Sequence, residues 1–89
     1  MSEESKRRLQ EGLTRLREEL AKLETDEVTR RRLEDLAGRV ERQLAEEGGE
    51  SHHALLQELE DEILRFEVEH PRLTAIINDI MVALANMGI

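Results

Sequence analysis

The chain has 89 residues and contains no cysteine, tryptophan or tyrosine, with one phenylalanine, Phe66, and one proline, Pro71. Without cysteine there are no disulfide staples and no thiolate chemistry, and the redox compartment is left open. No glycine-rich phosphate loop precedes a helical stretch, and no strand is available to carry a nucleophile elbow. The Ser and Thr residues fall mainly at predicted helix starts, where capping accounts for them. These absences point away from an enzyme.

Positive charge is also scarce where it would matter. Residues 1–45 carry 11 Lys+Arg against 11 Asp+Glu, whereas residues 46–89 carry 2 against 10, which accounts for the whole net charge of -8. Polyanion binding needs clustered cations that displace counterions, and the one basic run is Arg30-Arg31-Arg32. Successive helical side chains diverge by about 100°. The three arginines therefore fan out, and acids lie one turn away: Glu27 with Arg31, Arg30 with Glu34, Arg31 with Asp35. A solvated, charge-paired face is expected, and nucleic acid is not an expected partner.

Met1 to Gly12 is polar and lacks the apolar core of a secretory signal, so a cytoplasmic location is expected. The last nineteen residues, Pro71 to Ile89, hold twelve apolar side chains and only two charges, Arg72 and Asp79. Asp79 lies mid-segment beside Asn78, and a mid-membrane Asp costs about 3 kcal/mol on insertion scales. A packing surface is expected there instead of a membrane span.

What is present is helical periodicity. Leu9, Leu13, Leu16, Leu20 and Leu23 step by 4, 3, 4, 3, the spacing of a coiled-coil seam, after Ser2 as N-cap. The pattern then lapses and resumes out of phase as Leu33, Leu36, Ala37, Val40 and Leu44, which predicts a tight turn at Thr25 and Asp26. Gly48-Gly49 ends the second helix, and Ser51 caps a third with the stripe Leu55, Leu56, Leu59, Ile63 and Phe66. Leu64 and Val68 form a second apolar spot about 100° or more around that helix, and two such faces imply two neighbours. Pro71 ends the third helix near His70 and opens a fourth. Leu73, Ile76, Ile77, Ile80, Met81, Leu84 and Met87 of that fourth helix span roughly 140°, and Gly88 fits a C-cap.

The fold class read from these patterns is all-α. Helices over roughly 2–23, 26–46, 51–69 and 71–87 form antiparallel hairpins in a four-helix arrangement within a single helical domain of residues 1–89. The third and fourth helices are expected to form the hydrophobic centre, and the first two a charged hairpin with a narrow Leu seam. A chain this short is marginal by itself, so completion by homo-oligomerisation, with a dimer favoured, is the readiest remedy.

Phe66, Glu67, His70-Pro71 and Leu73, followed by Ala83-Leu84-Ala85-Asn86-Met87-Gly88-Ile89, resemble the closing signature of a small bacterial domain-of-unknown-function family, the one numbered four thousand four hundred and four. The resemblance covers the last quarter of the chain. It implies a bacterial helical protein and supplies no activity, cofactor or site residue.

Three chemical possibilities remain. Glu67 and His70 make a Glu-x-x-His, the i, i+3 spacing by which di-iron bundles place two ligands on one helical face, though such sites also need carboxylates from two other helices. His52 and His53 are adjacent and diverge, which makes a poor chelate, and Glu60, Asp61 and Glu62 read as neighbours on a solvent face. Met81 and Met87 could line an adaptable groove for a partner helix or an apolar ligand.

The function expected is that of a small helical interaction protein that self-associates through the third and fourth helices, using Leu64, Val68, Leu73, Ile76, Ile77, Ile80, Met81, Leu84 and Met87. The alternatives are a ligand- or metal-binding bundle using Glu67 and His70, or an adaptor that docks a helix of another protein. No catalytic, cofactor-binding or metal residue is assigned.

Overall fold

The computed structural model describes residues 3–45 and 52–88. The described residues form four helices, α1 (Glu3–Lys22), α2 (Glu27–Leu44), α3 (His52–Phe66) and α4 (Pro71–Gly88), and no strand. The expected caps Ser2 and Ser51 and the Gly48-Gly49 break lie outside the described residues.

Helices α1 and α2 part where the leucine pattern loses phase. Asp26 is the N-cap of α2, with extended backbone at φ -75 and ψ 166, and its carboxylate accepts from the Thr29 amide at 2.9 Å. Hydrogen bonds from the Thr29 side chain and backbone hold the Asp26 carboxyl below its usual range. Arg30 fixes the other side of the break. Its guanidinium donates to the Leu20 carbonyl at 2.5 Å and to the Leu23 carbonyl, so it covers the orphan end of α1. This differs from the expected Arg30–Glu34 pairing. A fork of N–H donors does more against two bare carbonyls than in a solvated pair on its own helix. Arg31 does pair with Glu27, at 3.9 Å.

Helix α3 ends at Phe66, about one turn before the expected boundary. The Glu67 amide donates to the Ile63 carbonyl at 2.9 Å and the His70 amide to the Phe66 carbonyl at 2.8 Å, which closes a short turn. Pro71 is then the first residue of α4, as its missing N–H and fixed φ favour. The Thr74 amide donates to the His70 carbonyl at 3.1 Å and the Thr74 hydroxyl to the Pro71 carbonyl at 3.0 Å.

Each helix touches two others: α1 packs on α2 and α4, and α3 packs on α4 and α2. The α1–α4 contact is the most extensive and α2–α3 the least. The longest dimension, 35 Å, is close to the roughly 30 Å of one 20-residue helix, so the helices lie side by side.

All four helices build the core, and this corrects the expectation of a centre made by α3 and α4. Leu9, Leu16, Leu33, Leu36 and Val40 are as deeply buried as Leu55, Leu59, Ile77, Ile80 and Leu84. The narrow seams of α1 and α2 suffice because the broad face of α4 lies directly on α1. Gly12 makes that possible: a Cβ there would stand 2.8 Å from Ile80 Cγ1. No helix among the described residues is long and apolar enough to cross a membrane.

Candidate functional site

The residues expected to form an interface fall into two groups. Leu73, Ile76, Ile77, Ile80 and Leu84 are buried by the chain's own helices, and Met81 is half-buried against the same core. The Met87 side chain lies outside the described residues. Leu64 and Val68 are the opposite case, 67% and 88% exposed. They point away from both neighbours of α3, so the second apolar spot is not satisfied within the chain. Glu60, Asp61, Glu67 and Glu69, all exposed, surround this pair.

Between α3 and α4 the surface dips into a groove lined by Leu56, Met81 and Ala85, with His53, Gln57 and Glu60 at its rim. Met81 is thus where an adaptable groove was expected. Leu56 and Ile63 are half-buried against the core.

The largest departure from the sequence reading is Glu62. The sequence groups it with Glu60 and Asp61 on a solvent face, yet its residue exposure is 0%. Leu55, Leu59, Glu62 and Phe66 step by 4, 3, 4, so position 62 belongs to the core-facing line of α3. Taking Ile63 into the stripe in its place hid this, and Ile63 is only half-buried. The Glu62 carboxylate lies 3.4 Å from Arg32 Nε of α2 and 3.9 Å from Arg65 Nε. Neither of its oxygens, nor Arg32 Nε, has a hydrogen bond. A second pair, Arg39 with Glu58 at 3.8 Å, lies along the same α2–α3 contact. Burial pushes the Glu62 carboxyl above its ordinary range; Arg32 and Arg65 oppose the rise and Glu58 adds to it. Desolvation wins because the attraction is not reinforced by hydrogen bonds.

Among the described residues no further ligand joins the Glu67–His70 pair. Glu67 is exposed, and His70 is half-buried with its ring tilted 56° to that of Phe66 at a centroid distance of 6.0 Å. The described residues contain no group of three or more His, Cys, Asp or Glu that could hold a metal ion, so no neighbouring helix brings the further carboxylates that such a site needs. His53 is exposed, and the His52 side chain lies outside the described residues.

No curated protein matches this chain, and no solved structure does. A family model described as a domain of unknown function matches residues 9–89, so the likeness reaches far beyond the last quarter of the chain and takes in all four helices. The chain belongs to that family, DUF4404.

Proposed function

We propose that this protein is a small cytoplasmic helical interaction module that self-associates through α3 and the adjoining edge of α4, a dimer being favoured. The observation that carries the reading is the contrast within one set of residues. Leu73, Ile76, Ile77, Ile80 and Leu84 are taken up by the chain's own core, while Leu64 and Val68 stand 67% and 88% exposed beside the half-buried Ile63. Single exposed aliphatics are ordinary, but two on one short stretch favour contact with another surface. The helices are read as two antiparallel hairpins, and Arg30, which reaches back across the short turn to the Leu20 and Leu23 carbonyls, supports that reading for the first.

The role proposed is binding without catalysis, nucleic acid or membrane. Glu62, the described titratable group most removed from water, lies inside the α2–α3 contact where no substrate reaches it. Arg30, Arg31, Arg32 and Arg39 of α2 are engaged with carbonyls and acids of the chain itself, which leaves little free cationic surface for a polyanion.

Sedimentation of wild type and of Leu64→Glu with Val68→Glu tests the reading. The double variant shifts towards monomer and keeps its helicity; wild-type-like association in that variant removes this face from the interface. A second reading, an adaptor that docks a foreign helix, is favoured by the Leu56–Met81–Ala85 groove. If the wild-type chain sediments as a monomer at every concentration, self-association fails and the adaptor reading replaces it.

A further inference from the structure

Among the described residues Glu62 is the one charged side chain with no exposure. It sits in the least extensive of the four helix contacts. Elsewhere the bundle keeps its cross-helix charges at the rim. Arg15 with Asp79 at 3.6 Å and Arg17 with Glu41 at 2.8 Å are roughly half-exposed pairs, and Arg72 with Glu19 at 3.6 Å has an exposed arginine. At the α2–α3 contact the carboxylate itself is inside, and both its oxygens lack a hydrogen bond.

An ionised carboxylate without hydrogen bonds in a packed interior loses its hydration and recovers only part of it from a neighbouring cation. Separating α2 from α3 returns that hydration to Glu62, and to Arg32 Nε as well. A proton on Glu62 removes most of the penalty and with it the gain from opening. Arg32 tolerates the loss of its counter-charge because its side chain is 35% exposed and keeps access to water. We propose that the α2–α3 contact is a proton-linked opening edge of the bundle, which parts locally while Glu62 is ionised and is held shut when Glu62 carries a proton.

The charged groups around Glu62 are few. Helix α2 contributes Arg32 and, through Glu58, Arg39; α3 contributes Glu58 and Arg65. The charged side chains of α4, Arg72 and Asp79, turn instead to Glu19 and Arg15 of α1. Glu58 is thus the one other acid beside Glu62 among these groups, and it is itself paired with Arg39.

The direction follows from linkage. A carboxyl whose pKa is raised in the closed form binds a proton more tightly closed than open, so closure strengthens as pH falls through the closed-form pKa towards the ordinary value of 4.5. Most folded carboxylates act the other way. Asp26, held low by Thr29, contributes at higher pH and loses its contribution as pH falls. Opening uncovers part of the apolar core that α2 and α3 share in the closed bundle. The edge thereby makes exposure of this apolar surface depend on pH.

Amide hydrogen exchange on the full-length protein, between about pH 5 and about pH 8, tests the proposal. The readout is the protection of core amides in α2 and α3 relative to those in α1 and α4, which cancels the intrinsic pH dependence of exchange. In wild type this ratio rises severalfold as pH falls. In Glu62→Gln, and in Glu62→Leu, it is already high at neutral pH and flat, while Glu60→Gln, on the exposed side of α3, behaves as wild type. A pH-independent ratio in wild type, or an unchanged slope in Glu62→Gln, overturns the proposal. The carboxyl carbon shift of Glu62 in the wild-type protein gives a check that needs no variant: titration above the ordinary range supports the opening edge, and titration at or below it overturns it.

Discussion

The α1–α4 and α2–α3 contacts close the same bundle with opposite chemistry. In the first, Gly12 lets two helix backbones approach until Ile80 fills the space a side chain would take, and the charges stay at the margin. In the second, Arg32 and Glu62 occupy positions that face the partner helix, and the carboxylate goes without hydrogen bonds. Dispersion and apolar burial have no directional requirement and improve with proximity. A buried ion pair needs distance, angle and leftover hydrogen bonds all satisfied before it offsets desolvation. One contact therefore acts as the spine of the fold, and the other as its edge. Depth of burial alone does not report strength, since Glu62 and Ile80 are equally hidden.

The comparison can be broken most severely at the spine. Ile77→Glu puts a charge at a position with 0% exposure, for a loss of about 4 kcal/mol or more. That is comparable with the total stability of a small domain, about 5 to 15 kcal/mol, and circular dichroism should show no cooperative melt at neutral pH. At the edge the sign reverses. Arg32→Met with Glu62→Leu exchanges an imperfect ion pair for apolar contact and should gain about 1 to 4 kcal/mol, read as a raised urea midpoint.

Two glycines sharpen the contrast at smaller scale. Gly12→Ala drives its methyl into Ile80, and a net cost of about 1 to 2 kcal/mol remains after the helix-propensity gain. Gly38→Ala meets nothing closer than Arg42 at 4.0 Å and should stabilise by about 0.5 to 1 kcal/mol. The smallest effect belongs to Arg17 and Glu41. Their coupling in a double-mutant cycle should stay below about 1 kcal/mol, because both side chains are about half-exposed or more.

Features with a local cause were legible in the sequence. The four helices follow from leucine periodicity, Pro71 opens α4 because proline suits a first helical position, and the turn at Thr25 and Asp26 follows from the lost phase, although either residue could cap α2 by sequence and it is Asp26 that accepts from the Thr29 amide. Leu64, off the main stripe of α3, also follows from the helical angle, whereas Val68 lies in the turn beyond the end of α3. What remained hidden depends on which helices become neighbours. The closeness at Gly12 requires α4 to lie on α1, and Arg30 finds its carbonyls only once α1 has ended beside it. Glu62 was legible in principle. The 4, 3, 4 line of Leu55, Leu59, Glu62 and Phe66 marks it, but a carboxylate flanked by two other acids reads as surface unless position is weighed above residue type.

The unequal strength of the two contacts is tested most directly by native-state hydrogen exchange in rising sub-denaturing urea at neutral pH. Amides of α2 and α3 such as those of Leu36 and Leu59 should exchange through a low-energy opening with little urea dependence, while those of Leu13 and Ile80 wait for global unfolding. A single exchange class, with all four helices opening at one free energy and one urea slope, would contradict the account.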